Sequence, residues 1–194
     1  MSSICTIDFT NQLLRLNMRV IQLYIRRIQG TSFYRRVARL LRPSIEIKEA
    51  DEAYMQQALN WLNHVQLGQT APSNFRATSF VALKKGRVIG FVDLVKRSEQ
   101  YYRDDSYWLY SLIVSTPYRR MGIGEELTRM AMEKSRKEGI KKLFLTTGEN
   151  NDRAVRLYRK LGFETRVIPE FEKYFEDERR TFGHRPICMA VDLN

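Results

Sequence analysis

The sequence predicts a mixed α/β domain that follows a basic helical arm. Two predicted strands, Tyr107–Val114 and Lys142–Thr147, flank a helical segment, and this order gives two parallel strands joined by a crossover helix. Two apolar stretches ahead of them, joined by the turn Lys84–Arg87, predict a β-hairpin. With 194 residues, 43% of them hydrophobic and 28% charged, the chain can bury the core of one domain.

The arm spans residues 1–43. It holds eight arginines against one acid, Asp8, and so carries most of the net charge of +11. Polar residues recur every three or four positions over residues 9–29, as on one face of a helix that ends near Gly30. Three interpretations stay open: a helix packed on the domain or on a partner subunit, an anchor in a membrane surface, or a targeting peptide. Because the charge is concentrated in the arm, the high isoelectric point does not predict nucleic-acid binding by the domain.

The predicted domain covers residues 44–194 and begins with a strand and a helix. Ile45 and Ile47 alternate with charged residues, which indicates a strand, and Asp51 can cap the helix that follows. The rest of the first half is predicted as a loop over residues 68–74, a hairpin of Phe80–Leu83 and Val88–Val95, a polar connection over residues 97–105, and the strand Tyr107–Val114.

A glycine-containing loop follows the strand that ends at Val114. Several backbone N–H groups point the same way where a loop enters a helix, and glycine lets such a backbone approach an anion because it has no Cβ. Two arginines beside the glycines add positive charge, but Gly-x-Gly before a helix is as often a simple tight turn, so a phosphate site and a tight turn both stay open at this point. The loop residues, ahead of a helix that runs to about Lys137, are Arg119, Arg120, Met121, Gly122, Ile123 and Gly124.

The last third of the chain contains a second capped helix and two short strands. Asn151 or Asp152 caps the helix, and Gly162 ends it. The remaining predicted segments are the strands Val167–Ile168 and Ile187–Val191 and, between them, the charged run Glu170–Arg180 as a solvated loop or short helix.

Other features bound the location and the chemistry. No apolar run approaches the roughly 18 residues of a membrane-spanning helix. Cys5 and Cys188 lie far apart with no Cys-x-x-Cys spacing, which predicts free thiols in a reducing compartment. His64 and His184 stand outside any ligand cluster, so no metal site is predicted. We expect a cytoplasmic protein, and the arm leaves a peripheral membrane position or an organelle as alternatives.

Two motifs lie on either side of the strand Lys142–Thr147. They are Arg119-x-x-Gly122-x-Gly124, and Asn151-x-x-Ala154-x-x-Leu157-Tyr158 followed by Leu161-Gly162-Phe163. In this order and separation they resemble the GNAT superfamily of acyl-CoA-dependent N-acyltransferases, over about residues 44–192. The resemblance implies a mostly antiparallel mixed sheet, splayed at one parallel strand pair and flanked by helices, with the basic arm outside it.

The resemblance also implies acetyl-CoA as co-substrate and no metal. The pantetheine arm would pair with the backbone of the strand end like an added strand, and the glycine loop would hold the pyrophosphate. Tyr158, which the helix pattern alone would place in the core, would protonate the departing thiolate from within ~3 Å. The cofactor-binding residues that the resemblance implies are Leu112, Ile113, Val114, Arg119, Arg120, Met121, Gly122, Ile123, Gly124, Asn151, Ala154 and Tyr158.

The general base is where the sequence departs from the family pattern. Many relatives carry an acid near the positions that Tyr110 and Ser111 occupy, and neither is a carboxylate. An amine with a pKa near 10 must lose a proton before it attacks. Candidates are an ordered water touching Tyr110 or Ser111 and four acids, each also explained as an ordinary surface residue: Glu149, Asp93, Glu99 and Asp105.

The sequence therefore predicts an N-acetyltransferase in which a primary amine attacks acetyl-CoA directly, with the oxyanion held by a backbone N–H near Val114. The alternatives are a CoA-binding regulatory module with little catalysis and a membrane-associated acyltransferase anchored by the arm. Expected partners are the amine of a small molecule or protein, a second copy of the chain, and a membrane surface or protein at residues 1–43. Side chains that can line the acceptor groove are Tyr101, Tyr102, Tyr107, Trp108 and Tyr110, whereas the acidic run Glu170–Glu178 is interpreted as a solvated face.

Overall fold

A computed structural model describes residues 44–64, 77–97 and 106–193. The predictions for the arm, for the loop at residues 68–74, and for Glu99, Tyr101, Tyr102 and Asp105 lie outside these residues. The described elements are β1 (Glu46–Glu49), α1 (Glu52–His64), β2 (Ala77–Lys84), β3 (Arg87–Arg97), β4 (Ser106–Val114), a 3-10 turn (Thr116–Tyr118), α2 (Ile123–Lys137), β5 (Lys142–Gly148), α3 (Asp152–Lys160), β6 (Glu164–Arg166), α4 (Pro169–Phe182) and β7 (Pro186–Asp192).

The seven strands form one mixed sheet in the order β1-β2-β3-β4-β5-β7-β6. Neighbouring strands are antiparallel except β4 and β5, which are parallel. Helix α2 makes the crossover between these two, as the strand–helix–strand pattern predicts. The β2–β3 hairpin turns at Lys85 (φ 50°) and Gly86 (φ 73°), the two positive φ angles that a tight hairpin turn needs. The predicted mixed sheet with one parallel pair is confirmed.

The parallel pair separates part of the way along β4. Its ladder covers only the residues Tyr107–Leu109 of β4 and Leu143–Leu145 of β5, although β4 continues to Val114 and β5 to Gly148. A β-bulge lies just past this point, where the pairing of β3 with β4 shifts and Ser111 has φ 53°. The sheet is therefore splayed between the carboxyl ends of β4 and β5.

Helices cover both faces of the sheet. On one face, α1 packs its Ala58 against Phe91, and α4 packs Phe175 against Trp108. On the other face, α2 lies so close to β3 that a Cβ on Gly90 would come within 3.2 Å of Leu127. Helix α3 belongs to this second face. A Cβ on Gly162, which follows α3, would lie 3.5 Å from the Val191 side chain, and strand alternation places Val191 opposite Cys188.

The structure corrects two predictions near the C-terminus. The strand expected at Val167–Ile168 is instead β6 at Glu164–Arg166, whose three residues are exposed and pair with β7 through the backbone. Val167 is 76% exposed and Ile168 caps α4, because Pro169 starts that helix. The charged run predicted as a solvated loop or short helix is the 14-residue α4. Sequence charge concealed its apolar face, which contains Phe171 and Phe175.

Candidate active site

The start of α2 presents backbone N–H groups to the splayed end of the sheet. Gly122 caps the helix with φ 87°, a conformation that glycine adopts readily, and no side chain caps the helix. The first intrahelical bond runs from Glu126 N to Gly122 O at 3.0 Å, so the N–H groups of Ile123, Gly124 and Glu125 precede it. Together with the helix dipole, this arrangement favours an anion.

The turn Arg119–Met121 leads into this helix. Arg119 is exposed, whereas Arg120 and Met121 are half-buried. Arg120 has φ 70°, in the left-handed region that residues with a Cβ rarely adopt. Such backbone strain costs about 1–3 kcal/mol, and strained residues of this kind cluster at functional sites.

Gly124 is where three of the predicted cofactor segments meet. A Cβ added to it would lie 3.7 Å from Leu157 Cδ2 of α3, 3.8 Å from Leu112 Cδ2 and 3.9 Å from Val114 Cγ2 of β4. These are ordinary contact distances, so α2, α3 and the end of β4 are close neighbours at this point. The two motifs, separated by 26 residues or more of sequence, thus come together as the resemblance implies.

The acid at the first turn of α2 is neutralised by two cations. Glu125 Oε2 accepts from Lys160 Nζ at 2.6 Å, and Glu125 Oε1 accepts from Arg129 Nη2 at 3.0 Å. The hydrogen bond from Lys160 is the main cause that lowers the pKa of Glu125, and Arg129 adds to it. Because Lys160 lies on α3 and Glu125 on α2, this ion pair also connects the two helices. The charge of Glu125 is therefore compensated, and it repels an anion at the helix start less than an unpaired carboxylate would.

Helix α3 begins at a cap that the sequence predicts. Asn151 Oδ1 accepts from the Ala154 N–H at 3.3 Å, which decides between the two candidate caps in favour of Asn151. One turn further on, Tyr158 is only 7% exposed, with its ring 5.6 Å from that of Phe163. Burial raises the pKa of Tyr158 to about 12, so the hydroxyl stays protonated at neutral pH. Within the described residues that hydroxyl makes no hydrogen bond, so it can donate a proton or a hydrogen bond to a ligand.

A buried carboxylate lies on the opposite face of the sheet. Asp93 on β3 is 4% exposed, and its Oδ1 accepts from Ser79 Oγ of β2 at 2.5 Å. Burial raises the pKa of Asp93 to about 6, and the Ser79 hydrogen bond opposes that rise. In the β3–β4 register, Asp93 pairs with Tyr110, the first β4 residue past the ladder with β5. Of the four acids that the sequence offered as a base, Glu149 is exposed and two lie outside the described residues.

Aromatic side chains cluster on the face of Tyr110, and they include the predicted Trp108 together with two residues of α4. Trp108 is a core residue, 1% exposed, with its ring stacked 5.1 Å from that of Phe144. Strand alternation turns Tyr107 to the other face. The residues that sequence reasoning missed are Phe175 of α4, which belongs to the same buried cluster as Trp108, and Phe171, whose ring lies 5.8 Å from that of Trp108. Their spacing of four was the signal available, and the charged residues Glu172 and Lys173 between them obscured it.

The remaining titratable groups give no metal or thiol chemistry in the described part of the chain. Residues 44–64, 77–97 and 106–193 contain no group of three or more His, Cys, Asp or Glu side chains suited to a metal ion. Cys188 is buried, and burial raises its pKa to about 12, which makes the thiol a poor nucleophile. Among these residues, no helix is both long enough and apolar enough to cross a bilayer.

A comparison with known families identifies the class of protein to which this chain belongs. The family model described as Acetyltransferase (GNAT) family matches residues 35–163, about two thirds of the chain. The chain belongs to this family. The predicted superfamily and fold are confirmed.

Similar proteins carry N-acetyltransferase names. N-acetyltransferase 8 of Homo sapiens is 29% identical over 85 residues, which is 44% of this chain and 37% of that protein. The chloroplastic GCN5-related N-acetyltransferase 6 of Arabidopsis thaliana is 31% identical over 70 residues, 36% of this chain and 24% of that protein. The matched segment thus spans about two fifths or less of the length of these curated relatives.

Solved structures share the fold at low identity. The putative streptothricin acetyltransferase from Bacillus anthracis, in complex with acetyl coenzyme A, aligns with a TM-score of 0.57 at 15% identity, over 78% of this chain and 98% of that one. The ribosomal-protein-S18-alanine N-acetyltransferase from Escherichia coli aligns with a TM-score of 0.54 at 19% identity, over 78% and 95%. At these identities the likenesses show that the fold is shared.

Proposed function

We propose that this chain is an acetyl-CoA-dependent N-acetyltransferase that acts on a primary amine by direct transfer. The observation that carries the proposal is the meeting of α2, α3 and the end of β4 at Gly124, beside the point where β4 and β5 separate. The same region holds a helix start suited to pyrophosphate and a buried tyrosine with a donor hydroxyl. The acetyl coenzyme A in the Bacillus anthracis neighbour supports acetyl-CoA as the donor.

The donor's parts match different segments of this site. Backbone N–H groups from Arg119 to Gly124 would hold the pyrophosphate, and the backbone of Leu112–Val114 would pair with the pantetheine arm. Asn151 and Ala154 lie at the start of α3, where their cap leaves the Asn151 side-chain amide available to the pantetheine. When bound, the donor supplies an activated thioester carbonyl.

The chain's own residues would then stabilise the two negative charges that develop in the reaction, on the carbonyl oxygen and on the departing sulfur. A backbone N–H near Val114 would stabilise the oxyanion that forms when the amine attacks the carbonyl carbon. As the carbon–sulfur bond breaks, the Tyr158 hydroxyl would give its proton to the thiolate. Since burial keeps this hydroxyl protonated up to a pKa of about 12, the acid is present throughout the physiological pH range.

The acceptor, the location and the assembly stay predictions. A cytoplasmic protein, a second copy as partner and a membrane contact through residues 1–43 are the expectations from sequence. The half-buried aromatic side chains of Tyr110 and Phe171 support an acceptor with apolar parts beside its amine.

The test is a panel assay with the full chain. Acetyl-CoA is mixed with 2-phenylethylamine, spermidine, single amino acids and peptides with a free N-terminus, and thiol release is followed with a thiol reagent. Product mass confirms N-acetylation, and calorimetry gives the dissociation constant of CoA. We expect micromolar CoA binding and amine-dependent release. CoA binding without release for any amine would support the regulatory module instead, and no CoA binding would overturn both.

A further inference from the structure

We propose that the Asp93 carboxylate, held by Ser79, accepts the proton of the incoming amine, an inference that rests on the proposed acetyl transfer. Where β4 leaves β5, its residues Tyr110 and Ser111 carry no carboxylate. The structure brings Asp93 next to that position from the neighbouring strand. Of the two candidate acids within the described residues, this position favours the buried Asp93 over the exposed Glu149.

The geometry is a row of three side chains across three strands. In the sheet register, Ser79 of β2 faces Asp93 of β3, and Asp93 faces Tyr110 of β4. Directly opposed residues in an antiparallel pair project from the same face with Cβ atoms about 5 Å apart. The ladder between β4 and β5 ends at Leu109, one residue before Tyr110. The row therefore leads from the core of the sheet to the opening where the thioester would lie.

The β4 bulge adds a second geometric feature at the same place. Two β4 residues, Ser111 and Leu112, stand opposite the single residue Val92, and Ser111 adopts φ 53°. Bulges often redirect side chains beside active sites. Leu112 projects toward Gly124 on the face of α2 and α3, while Tyr110 stays on the face of Asp93. The strand that would hold the donor is thus in register with the proposed base.

The carboxylate itself is poorly satisfied for a buried charge. Within the described residues, Asp93 accepts a single hydrogen bond, from Ser79 Oγ at 2.5 Å, and is 4% exposed. Leaving a buried carboxylate with so few donors costs several kcal/mol. An ammonium group has three N–H donors and a compensating charge, so an amine that reaches Asp93 would supply the hydrogen bonds and the opposite charge that this carboxylate lacks.

The surroundings of Asp93 decide its protonation. Its neighbours on its own strand and face are Phe91 and Val95, and the titratable group facing it from β4 is Tyr110. Helix α1 contributes Ala58 and Tyr54 to this face. Two acids of α4, Glu172 and Glu176, accept hydrogen bonds from Arg185. Burial thus raises the pKa of Asp93 to about 6, with the Ser79 hydrogen bond opposing it, which leaves a base that is ionised at pH 7.

The proton balance closes without another reagent. The ammonium gives one proton to Asp93, and the free amine forms the carbon–nitrogen bond while the carbon–sulfur electron pair leaves on sulfur. Tyr158 protonates that sulfur and recovers the second nitrogen proton through solvent. Asp93 then releases its proton to water, so one acetyl-CoA and one ammonium give one amide, one CoA thiol and one proton.

The experiment compares the pH profiles of three variants, with whichever panel amine the wild type acetylates fastest. For Asp93→Asn, which keeps the shape and the Ser79 contact, we expect kcat/KM at pH 7 to fall by about 100-fold or more. Its rate should then rise about tenfold per pH unit toward the pKa of the amine near 10, because the amine must arrive already neutral. Ser79→Ala removes a bond that lowers the pKa of Asp93, so the acid limb of its profile should move to higher pH.

Glu149→Gln is the matched comparison, because it tests the rival acid, which is exposed. Its profile should coincide with that of the wild type. A loss in Asp93→Asn that is equal at every pH would show a structural role and overturn the proposal, as would a loss confined to Glu149→Gln. CoA affinity is measured for each variant. If the wild type itself acetylates no amine, the proposed function fails and this inference with it, whereas an active wild type with an unaffected Asp93→Asn variant refutes the inference alone.

Discussion

The two faces of the sheet near β4 differ in where their site residues lie in the sequence. On the face of α2 and α3, the residues of the cofactor site come from two short motifs, and Gly124 contacts side chains from β4 and α3. On the face of α1 and α4, the row of Ser79, Asp93 and Tyr110 comes from three strands in register. In our proposal the face of α2 and α3 binds the donor and is called the cofactor face. The face of α1 and α4 receives the amine and is called the acceptor face.

The two faces therefore depend on different properties: the face of α2 and α3 depends on backbone conformation, and the face of α1 and α4 depends on a buried charge. The cofactor face depends on backbone geometry, with a glycine at φ 87° and a helix start, and its acid Glu125 is neutralised by Lys160. The acceptor face instead keeps a buried acid with one hydrogen bond in the described structure. Changes on the first face should therefore alter donor binding or leaving-group chemistry, and changes on the second should alter pH dependence.

The largest expected effect is on the cofactor face, in Tyr158→Phe. We expect kcat to fall by about 100- to 1,000-fold because the thiolate loses its proton donor, with the dissociation constant of CoA nearly unchanged. Thiol release and calorimetry measure the two quantities. Tyr174→Phe is the control, since that tyrosine is 56% exposed and bonds to Glu178. Equal activity of Tyr158→Phe and the control would remove Tyr158 from the mechanism.

On the acceptor face, Asp93 should make the fold less stable as pH rises. Its pKa rises from 3.8 to about 6 in the fold, so the contribution of Asp93 to stability is fully present below pH 4 and is lost as pH rises through 6. The loss corresponds to roughly 3 kcal/mol. Asp93→Asn should therefore unfold at higher urea than the wild type at pH 8, with the advantage disappearing near pH 4. Parallel stability curves from pH 4 to 8 would contradict the raised pKa.

A smaller effect tests the backbone of the cofactor face. Gly122→Ala places a Cβ at φ 87° and should destabilise the fold by about 1–2 kcal/mol and weaken CoA binding by about tenfold, since the N–H groups shift. Gly86→Ala imposes the same strain at φ 73° in a hairpin with open space around it. It should cost similar stability and leave CoA affinity unchanged. Equal CoA affinity in the two variants would separate the glycine cap from anion binding.

The smallest effect is expected at the ion pair between α2 and α3. Lys160→Met breaks the bond to Glu125, but the lysine side chain is 55% exposed, so the change in unfolding free energy should stay below about 1 kcal/mol. Thermal unfolding at low and high salt measures it, with Lys142→Met as a matched surface pair. A change in CoA affinity beyond about threefold would show that the pair positions the helix start.

Local signals explain what could be predicted from sequence. Asn151 at the helix cap, Gly122 before α2 and the strand–helix–strand order each depend on a few neighbouring residues, and the structure agrees with them. Strand β6 was missed because an edge strand made of Glu164, Thr165 and Arg166 buries no side chain and has no apolar period. The apolar pair Val167–Ile168 that follows it was wrongly predicted as the strand.

The acceptor side could be predicted only as a set of alternatives. Whether Asp93 is buried depends on strands that meet in space, and Ser79 reaches it from 14 residues away. The bulge at Ser111 sets which β4 residues face it, and a single sequence carries no clear signal for a bulge. The same limit applies to α4, where the register of Phe171 and Phe175 on the sheet is a tertiary property.

The most direct test is a crystal structure of the full chain with CoA. The account predicts the pantetheine between the ends of β4 and β5, along Leu112–Val114, the pyrophosphate at the start of α2, and the CoA sulfur within about 3.5 Å of the Tyr158 hydroxyl. CoA bound at another surface, or a sulfur remote from that hydroxyl, would contradict it.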